Sequence, residues 1–199
     1  MSGGKIMAKL FELAEVKNGQ ILTRFCDRDA MEGVKIKVIT PGCISNGIIN
    51  HEDLGENTLK EGVDQSKLMI AEPGDIIIKL STPYDSAIVR EMDKNLVIPS
   101  FCAMVRCNEG VNKDYILAVL NSKRSIDKLV SEISGQGMRV IKIGSIKELE
   151  IPDIGDDEQI SIGGLYAEGL KEAELLRKLA KNQMELINGL IEQKLKGDK

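Results

Sequence analysis

The sequence predicts an α+β fold: a globular domain built on a mixed or antiparallel sheet, running into one long C-terminal helix. Three observations predict it. Short β-patterned segments crowd the first half, two capped apolar helical runs follow residue 112, and the last quarter holds a helical apolar stripe with no proline. The expected division is a domain over 1–155 and a helix over 156–199.

Lys5 to Val16 reads as a short amphipathic helix with Ile6, Leu10, Leu13 and Ala14 on one side, broken at Asn18-Gly19. Val34 to Thr40 alternates apolar residues with Lys35 and Lys37, as a half-exposed strand does, and Pro41-Gly42 ends it. Asn46-Gly47, set between Ile44 and Ile48-Ile49, signals a tight hairpin. Asn50 to Lys67 is polar and reads as a surface excursion. Pro73-Gly74-Asp75 turns into Ile76-Ile77-Ile78, a continuous apolar run that predicts burial on both faces. Ala87 to Arg90, Leu96 to Ile98 and Phe101 to Arg106 read as further short strands, with Asp93-Lys94-Asn95 as a turn between two of them. Asn112 is placed to cap a helix led by Tyr115-Ile116-Leu117, and Ser125 to cap a second reaching Ile133. Gly135-Gln136-Gly137 interrupts, and Val140 to Ile143 resumes as a strand.

In the tail, Ile162, Leu165, Tyr166, Leu170, Ala173, Leu176, Ala180, Met184, Ile187, Leu190 and Leu195 recur at steps of mostly three and four, a stripe suited to helix–helix packing. Helical from Asp156 to Lys196, it would span about 60 Å at 1.5 Å per residue. Such a face needs a partner. The expected one is a second copy of the chain, paired antiparallel in a two-fold dimer. Gly163-Gly164 early in the stripe either fray the first turns, the preferred reading, or permit a close backbone approach.

Composition narrows the function. Apolar residues make up 42 % of the chain, aromatics only 3 %, and Trp is absent, so the core must be aliphatic. No apolar run approaches the roughly 20 residues that cross a bilayer, and Met1 to Lys5 holds no signal core, so a cytoplasmic protein is expected. Cys26, Cys43, Cys102 and Cys107 include no Cys-x-x-Cys pair and read as free thiols. With His51 as the single histidine, no metal site is expected. The net charge of −4 opposes strong nonspecific nucleic-acid binding. The charge is uneven, however. Lys123, Arg124, Lys128, Arg139, Lys142 and Lys147 face only Asp127 and Glu132, whereas Glu52, Asp53, Glu56, Glu61 and Asp64 face only Lys60. This fits two different partners, or ordinary surface fluctuation.

Catalytic constellations are missing. No Gly-x-x-x-x-Gly-Lys-Ser/Thr loop, Gly-x-Gly-x-x-Gly fingerprint or Gly-x-Ser-x-Gly elbow occurs. His51 with Asp53 lacks a nucleophile and reads as a surface histidine. No catalytic residue and no cofactor is assigned.

Several motifs in order nonetheless resemble one family. Leu13-Ala14-Glu15-Val16 with Gly19, Pro73-Gly74-Asp75 before Ile76, and Tyr115-Ile116-Leu117 to Leu120-Asn121-Ser122 are followed by Gly135 to Arg139, Val140 to Ile143, Ile151-Pro152 and Glu158-Gln159-Ile160. Together they resemble a target-recognition domain and the start of the long helix in specificity subunits of type I restriction–modification systems. Ile154 stands where the family commonly has a second proline. The length accommodates one recognition domain and one helix of the usual two, so the chain resembles a half-subunit. The resemblance implies a non-enzymatic subunit that reads half of a split double-stranded DNA target in the major groove. Its helix would act as a ruler and dock the methyltransferase subunit, with the restriction subunit joining through the complex. Methyl transfer, translocation and cleavage would belong to those subunits. The alternative is a coiled-coil-dimerised adaptor whose domain binds protein, which the near balance of charge over 1–155 favours.

If the domain reads DNA, Gln136 and Arg139 are the expected base contacts, since Gln pairs bidentately with adenine and Arg with guanine. Lys123, Arg124 and Lys142 would hold phosphates. Ser81, Thr82 and Tyr84, on the loop after the isoleucine strand, are further candidates. The opposing reading is that the glycines merely turn the chain and Arg139 is a solvated residue.

Overall fold

The computed structural model describes residues 7–27, 32–93, 95–133 and 139–196. In chain order these form β1 (Met7–Lys9), α1 (Leu10–Leu13), β2 (Ala14–Asn18), β3 (Cys26–Asp27), β4 (Lys35–Val38), β5 (Ile44–Ser45), β6 (Ile48–Ile49) and β7 (Gly55–Leu59). Then come β8 (Ile76–Lys79), β9 (Ser86–Ile88), β10 (Leu96–Val97), β11 (Cys102–Cys107), α2 (Lys113–Leu120), α3 (Lys123–Ser131), α4 (Ile143–Lys147), β12 (Glu150–Pro152) and α5 (Asp156–Lys196). The α+β reading holds.

The isoleucine run lies at the centre. β8 sits inside an antiparallel sheet ordered β2-β11-β8-β9, with Val105 opposite both Ile76 and Val16. Because successive side chains alternate, Ile76 and Ile78 face one core with Leu10, Val105, Ile116 and Leu117, while Ile77 faces another with Ile39, Ile44, Ile98 and Met104. Both faces are therefore buried, as a continuous apolar strand requires. The same alternation puts Cys102 in the second core and Cys107 against the first. A second sheet, β10-β4-β7-β3, joins parallel β10–β4 to antiparallel neighbours over a smaller core of Val38, Leu59, Leu68 and Val97. The hairpin forms as predicted: Ile44 pairs with Ile49 across a turn in which Asn46 and Gly47 both have positive φ, at 49° and 80°.

Four expectations about the elements before the tail helix need correction. Lys5 to Val16 is not a helix. Over its described part, Met7–Lys9 pairs with Glu150–Pro152, only Leu10–Leu13 turns helically, and Ala14–Asn18 joins the central sheet. Ala14 and Val16 are buried beside exposed Glu15 and Lys17, the period of a strand. Asn50 to Lys67 is more than a surface excursion, because β7 bridges β3 and β4, and backbone pairing to distant strands outweighs its polar sequence. The second helix starts two residues before Ser125. Ser122 is its cap, accepting a hydrogen bond from the Ser125 backbone N–H at 3.3 Å. Val140 to Ile143 is not a strand. The buried Ile141 makes one backbone bond, to Leu80, before α4 begins at Ile143.

The tail forms as one 41-residue helix from Asp156, through Gly163-Gly164 without interruption. The fraying preferred from the sequence is therefore wrong, and close approach is the reason for Gly163. It is buried against the start of α2, where an added Cβ would lie 2.8 Å from the Tyr115 backbone nitrogen. Asn112 caps α2 at that spot, accepting from the same nitrogen at 3.0 Å, and Tyr115 Oη donates to the Pro152 carbonyl at 2.7 Å. The first turns of α5 are thus clasped between α2 and β12.

Candidate functional site

The segments that carry the predicted contact residues meet at one edge of the domain. Tyr84 Oη donates to the Arg139 carbonyl at 3.2 Å, and Ile141 N–H donates to the Leu80 carbonyl at 2.8 Å, so the loop after β8 and the residues before α4 lie side by side. Two residues past Tyr84, Ser86 exchanges two 2.9 Å bonds with the Asn121 amide, which ties this loop to the N-terminus of α3. Ser81, Thr82, Tyr84, Arg139, Lys142 and Lys123 are in this way connected through a few bonds. Thr82, Arg139, Lys142 and Lys123 are exposed, and Ser81 and Tyr84 are half-buried. Gln136, with the rest of 134–138, lies outside the described residues.

The arrangement offers hydroxyl, phenol and cationic donors. Lys123 Nζ lies 2.6 Å from Asp127, but both side chains are largely exposed, so the pair adds little stability. Arg124 departs from the set. It lines a neighbouring cleft with Lys9 and Lys128.

His51 lies exposed in a 3-10 turn, where its Nε2 touches the buried carboxylate of Asp93 and not Asp53. Asp53 accepts from the Asn50 side chain instead. Among the described residues no group of three or more His, Cys, Asp or Glu is placed to hold a metal ion. The acidic stretch is partly neutralised by the chain itself: Lys35 pairs with Glu56 at 2.7 Å, and Lys181 of α5 pairs with Glu52 at 2.6 Å. That lysine holds the Glu52 carboxyl below its usual range.

An ion pair between the buried Asp75 and the half-buried Arg106, which also meets Glu72 at 3.1 Å, was not foreseen. Asp75, 2 % exposed, accepts two 2.7 Å bonds from the Arg106 guanidinium and one of 2.8 Å from the Glu72 backbone. The fork-to-fork geometry pushes the Arg106 guanidinium further up. The Gly-Asp step before the isoleucine strand thus locks the turn of residues 72–75 to β11 and stands apart from the exposed edge.

The cleft has a volume of about 600 Å³ and lies between α2, α3, β12 and the start of α5. Its floor is apolar (Val119, Leu149, Pro152 and Ile154), Ile162 of α5 forms one wall, and charged side chains rim it.

The helical stripe divides in two. Leu170 is buried against Gly47 and Tyr166 is half-buried against the first core, so the expectation that both seek a second copy is corrected: the chain's own domain covers them. Burial raises the Tyr166 hydroxyl, while a bond with Asn121 partly offsets that. Ala173 is half-buried. Leu165, Leu176, Ala180, Met184, Ile187, Leu190 and Leu195 are exposed, and the structure adds Leu175, Leu179, Leu186 and Ile191, which a strict three-four count passes over. No described helix is long and apolar enough to cross a membrane.

No protein-family model and no curated protein matches the sequence. Solved structures do match. The chain superposes on an HsdS subunit from Thermoanaerobacter tengcongensis with a TM-score of 0.60 at 16 % identity, over 94 % of this chain and 50 % of that one. A type I restriction–modification system S subunit from M. genitalium gives 0.63 at 15 % identity, over 95 % and 46 %. A chain from a structure concerned with assembly and conformational transition of the type I R-M system gives 0.57 at 17 %, over 94 % and 44 %. The chain therefore has the fold of these S subunits and spans about half their length.

Proposed function

We propose that the chain is a DNA-reading subunit of a type I restriction–modification complex, itself without catalytic activity, acting in the cytoplasm. Residues 1–155 read one half of a bipartite target. Residues 156–199 form the spacer that pairs with a second copy and docks the methyltransferase, through which the restriction subunit joins. The carrying observation is the junction of an exposed, donor-rich edge with a 41-residue helix clasped at its base, a fold shared with S subunits over nearly the whole chain.

In this reading Arg139, with Gln136 beside it in sequence, contacts bases. Ser81, Thr82 and Tyr84 flank them, and Lys142 and Lys123 hold phosphates, whereas Arg124, expected to join them, is turned to the neighbouring cleft. A two-fold dimer presents the same edge twice, so the target is an interrupted inverted repeat. The test is selection from a random duplex library by the chain purified with its methyltransferase. An interrupted inverted repeat with fixed spacing is expected. Recovery of no sequence, together with stable capture of a protein ligand by the domain, would favour the adaptor reading.

A further inference from the structure

The loop that follows the isoleucine strand is tied at both ends to a single turn of α5. At its far end, Lys79 N–H donates to the Asp85 carbonyl at 2.9 Å. In the alternating antiparallel ladder Ser86, opposite Ile78, therefore points its own N–H and C=O away from β8. Ser86 is 1 % exposed, and buried backbone groups need partners. The Asn121 side chain serves as that partner. Its Oδ1 accepts from the Ser86 N–H and its Nδ2 donates to the Ser86 carbonyl, both at 2.9 Å, as a neighbouring strand would. The Tyr166 hydroxyl of α5 meets the same amide.

The near end of the loop is held by a buried cation. Lys79, 5 % exposed, donates from Nζ to the Ile44 carbonyl at 3.3 Å and lies 3.7 Å from the Asp85 carboxylate. Ile44 opens the hairpin whose Gly47 is pressed by Leu170, about one helical turn past Tyr166. The Asp85 carboxylate also acts on the Tyr166 hydroxyl through space. Asn121 is itself fixed where α2 ends, its N–H donating to the Leu117 carbonyl at 3.0 Å. Segment 79–86 cannot shift without breaking these contacts, and they converge on Tyr166 and Leu170.

We propose that Asn121 and Tyr166 are positioning residues for sequence reading, which hold the Ser81, Thr82 and Tyr84 loop in a fixed place relative to the long helix. The inference rests on the DNA-reading role proposed above and adds the groups that aim the edge. Hydrogen bonds to base edges discriminate only while their angles hold, whereas phosphate contacts carry no sequence information. Loosening the tether therefore lowers specificity before it lowers affinity.

Two nearly isosteric changes test this in the full chain assembled with a type I methyltransferase subunit. Asn121→Asp keeps the side-chain shape and removes both amide donors, and Tyr166→Phe keeps the ring and removes the hydroxyl. Hydrogen exchange reads the tether without DNA. The peptide covering residues 81–86 should exchange about tenfold faster in Asn121→Asp, with β11 unchanged. Competition between the selected duplex and its single-position variants reads the function. Both changes should lower discrimination about five- to tenfold at one or two positions of each half-site, with binding to random duplex as in the parent. Tyr166→Phe, which leaves the Ser86 bonds in place, decides the matter if Asn121→Asp does not fold. Unchanged discrimination, or equal weakening on every duplex, would overturn the positioning role and leave DNA reading intact. A parent complex that prefers no sequence would overturn the DNA-reading role and this inference with it.

Discussion

Gly163 of the long helix rides directly on the backbone of Tyr115, with room for a hydrogen and none for a methyl group. A Cβ there would lie 2.8 Å from the Tyr115 nitrogen, 3.1 Å from Asp114 Cβ and 3.2 Å from the Asn112 cap oxygen. In a free helix Gly→Ala gains up to about 1 kcal/mol. At Gly163 the same change must push α5 off α2 and is expected to destabilise by about 1–3 kcal/mol. Gly164, one residue on, meets nothing within 4 Å, so Gly164→Ala should stabilise by about 0.5–1 kcal/mol. Urea midpoints of the two variants should move in opposite directions, and a common shift would contradict the clasp.

Arg106→Ala leaves the Asp75 carboxylate buried without its counter-ion. A cost of about 3 kcal/mol is expected, since one removed partner strands the other's charge. Chemical denaturation measures it. A loss below about 1 kcal/mol would mean that water or a neighbour takes over the pairing.

The thiols should be quiet. Burial pushes Cys26, Cys43 and Cys102 up, and it raises Cys107, half-buried, to about 11, with Lys113 partly opposing. At pH 8 all four stay protonated, and the thiolate is the reactive form. A chromogenic disulfide should label the native chain slowly and the denatured chain four times over. Rapid labelling of one native thiol would point to an opening that the structure does not contain.

In solution the chain should scatter light as a species of about twice 21.8 kDa. Leu176→Asp or Ile187→Asp places a charge in the seam and should return the monomer without unfolding the domain, because neither residue touches the domain's cores. A parent chain that is already monomeric at tens of micromolar, with or without the methyltransferase, would remove the ruler from the account.

Much of the fold was legible because local and tertiary signals agree. Ile76-Ile77-Ile78 has no polar residue to turn outward, Asn46-Gly47 permits the two positive φ angles of its hairpin, and Asn112 sits one residue before its helix. Where the signals conflict, pairing between distant segments decided. Leu10 and Leu13 satisfy one helical turn while Ala14 and Val16 are claimed by β11, and the polar Gly55–Leu59 becomes a strand because β3 and β4 flank it. The candidate edge was legible as residue types on two loops. That Tyr84 meets Arg139, or that Arg124 turns to the cleft, depends on contacts spanning many residues, which no local pattern carries. The same holds for Asp75 and Arg106.

Within the proposed reading, Arg139→Ala should cost about 1–3 kcal/mol of binding and relax preference at one position in each half-site. Lys142→Ala should weaken every site alike and reduce the salt dependence. Competition assays with the assembled complex on a panel of duplexes distinguish the two. Equal, uniform weakening by both would make Arg139 a phosphate contact.

The central claim is that this chain supplies sequence to an enzyme that lacks it. The most direct measurement is the methylation map of a host genome expressing a candidate type I methyltransferase subunit with and without this chain. The account predicts methylation at a single interrupted inverted repeat of constant spacing, present only with the chain and redirected or relaxed by Arg139→Ala. Methylation that is identical in both hosts, or absent from both while the two proteins form a stable complex, would contradict it.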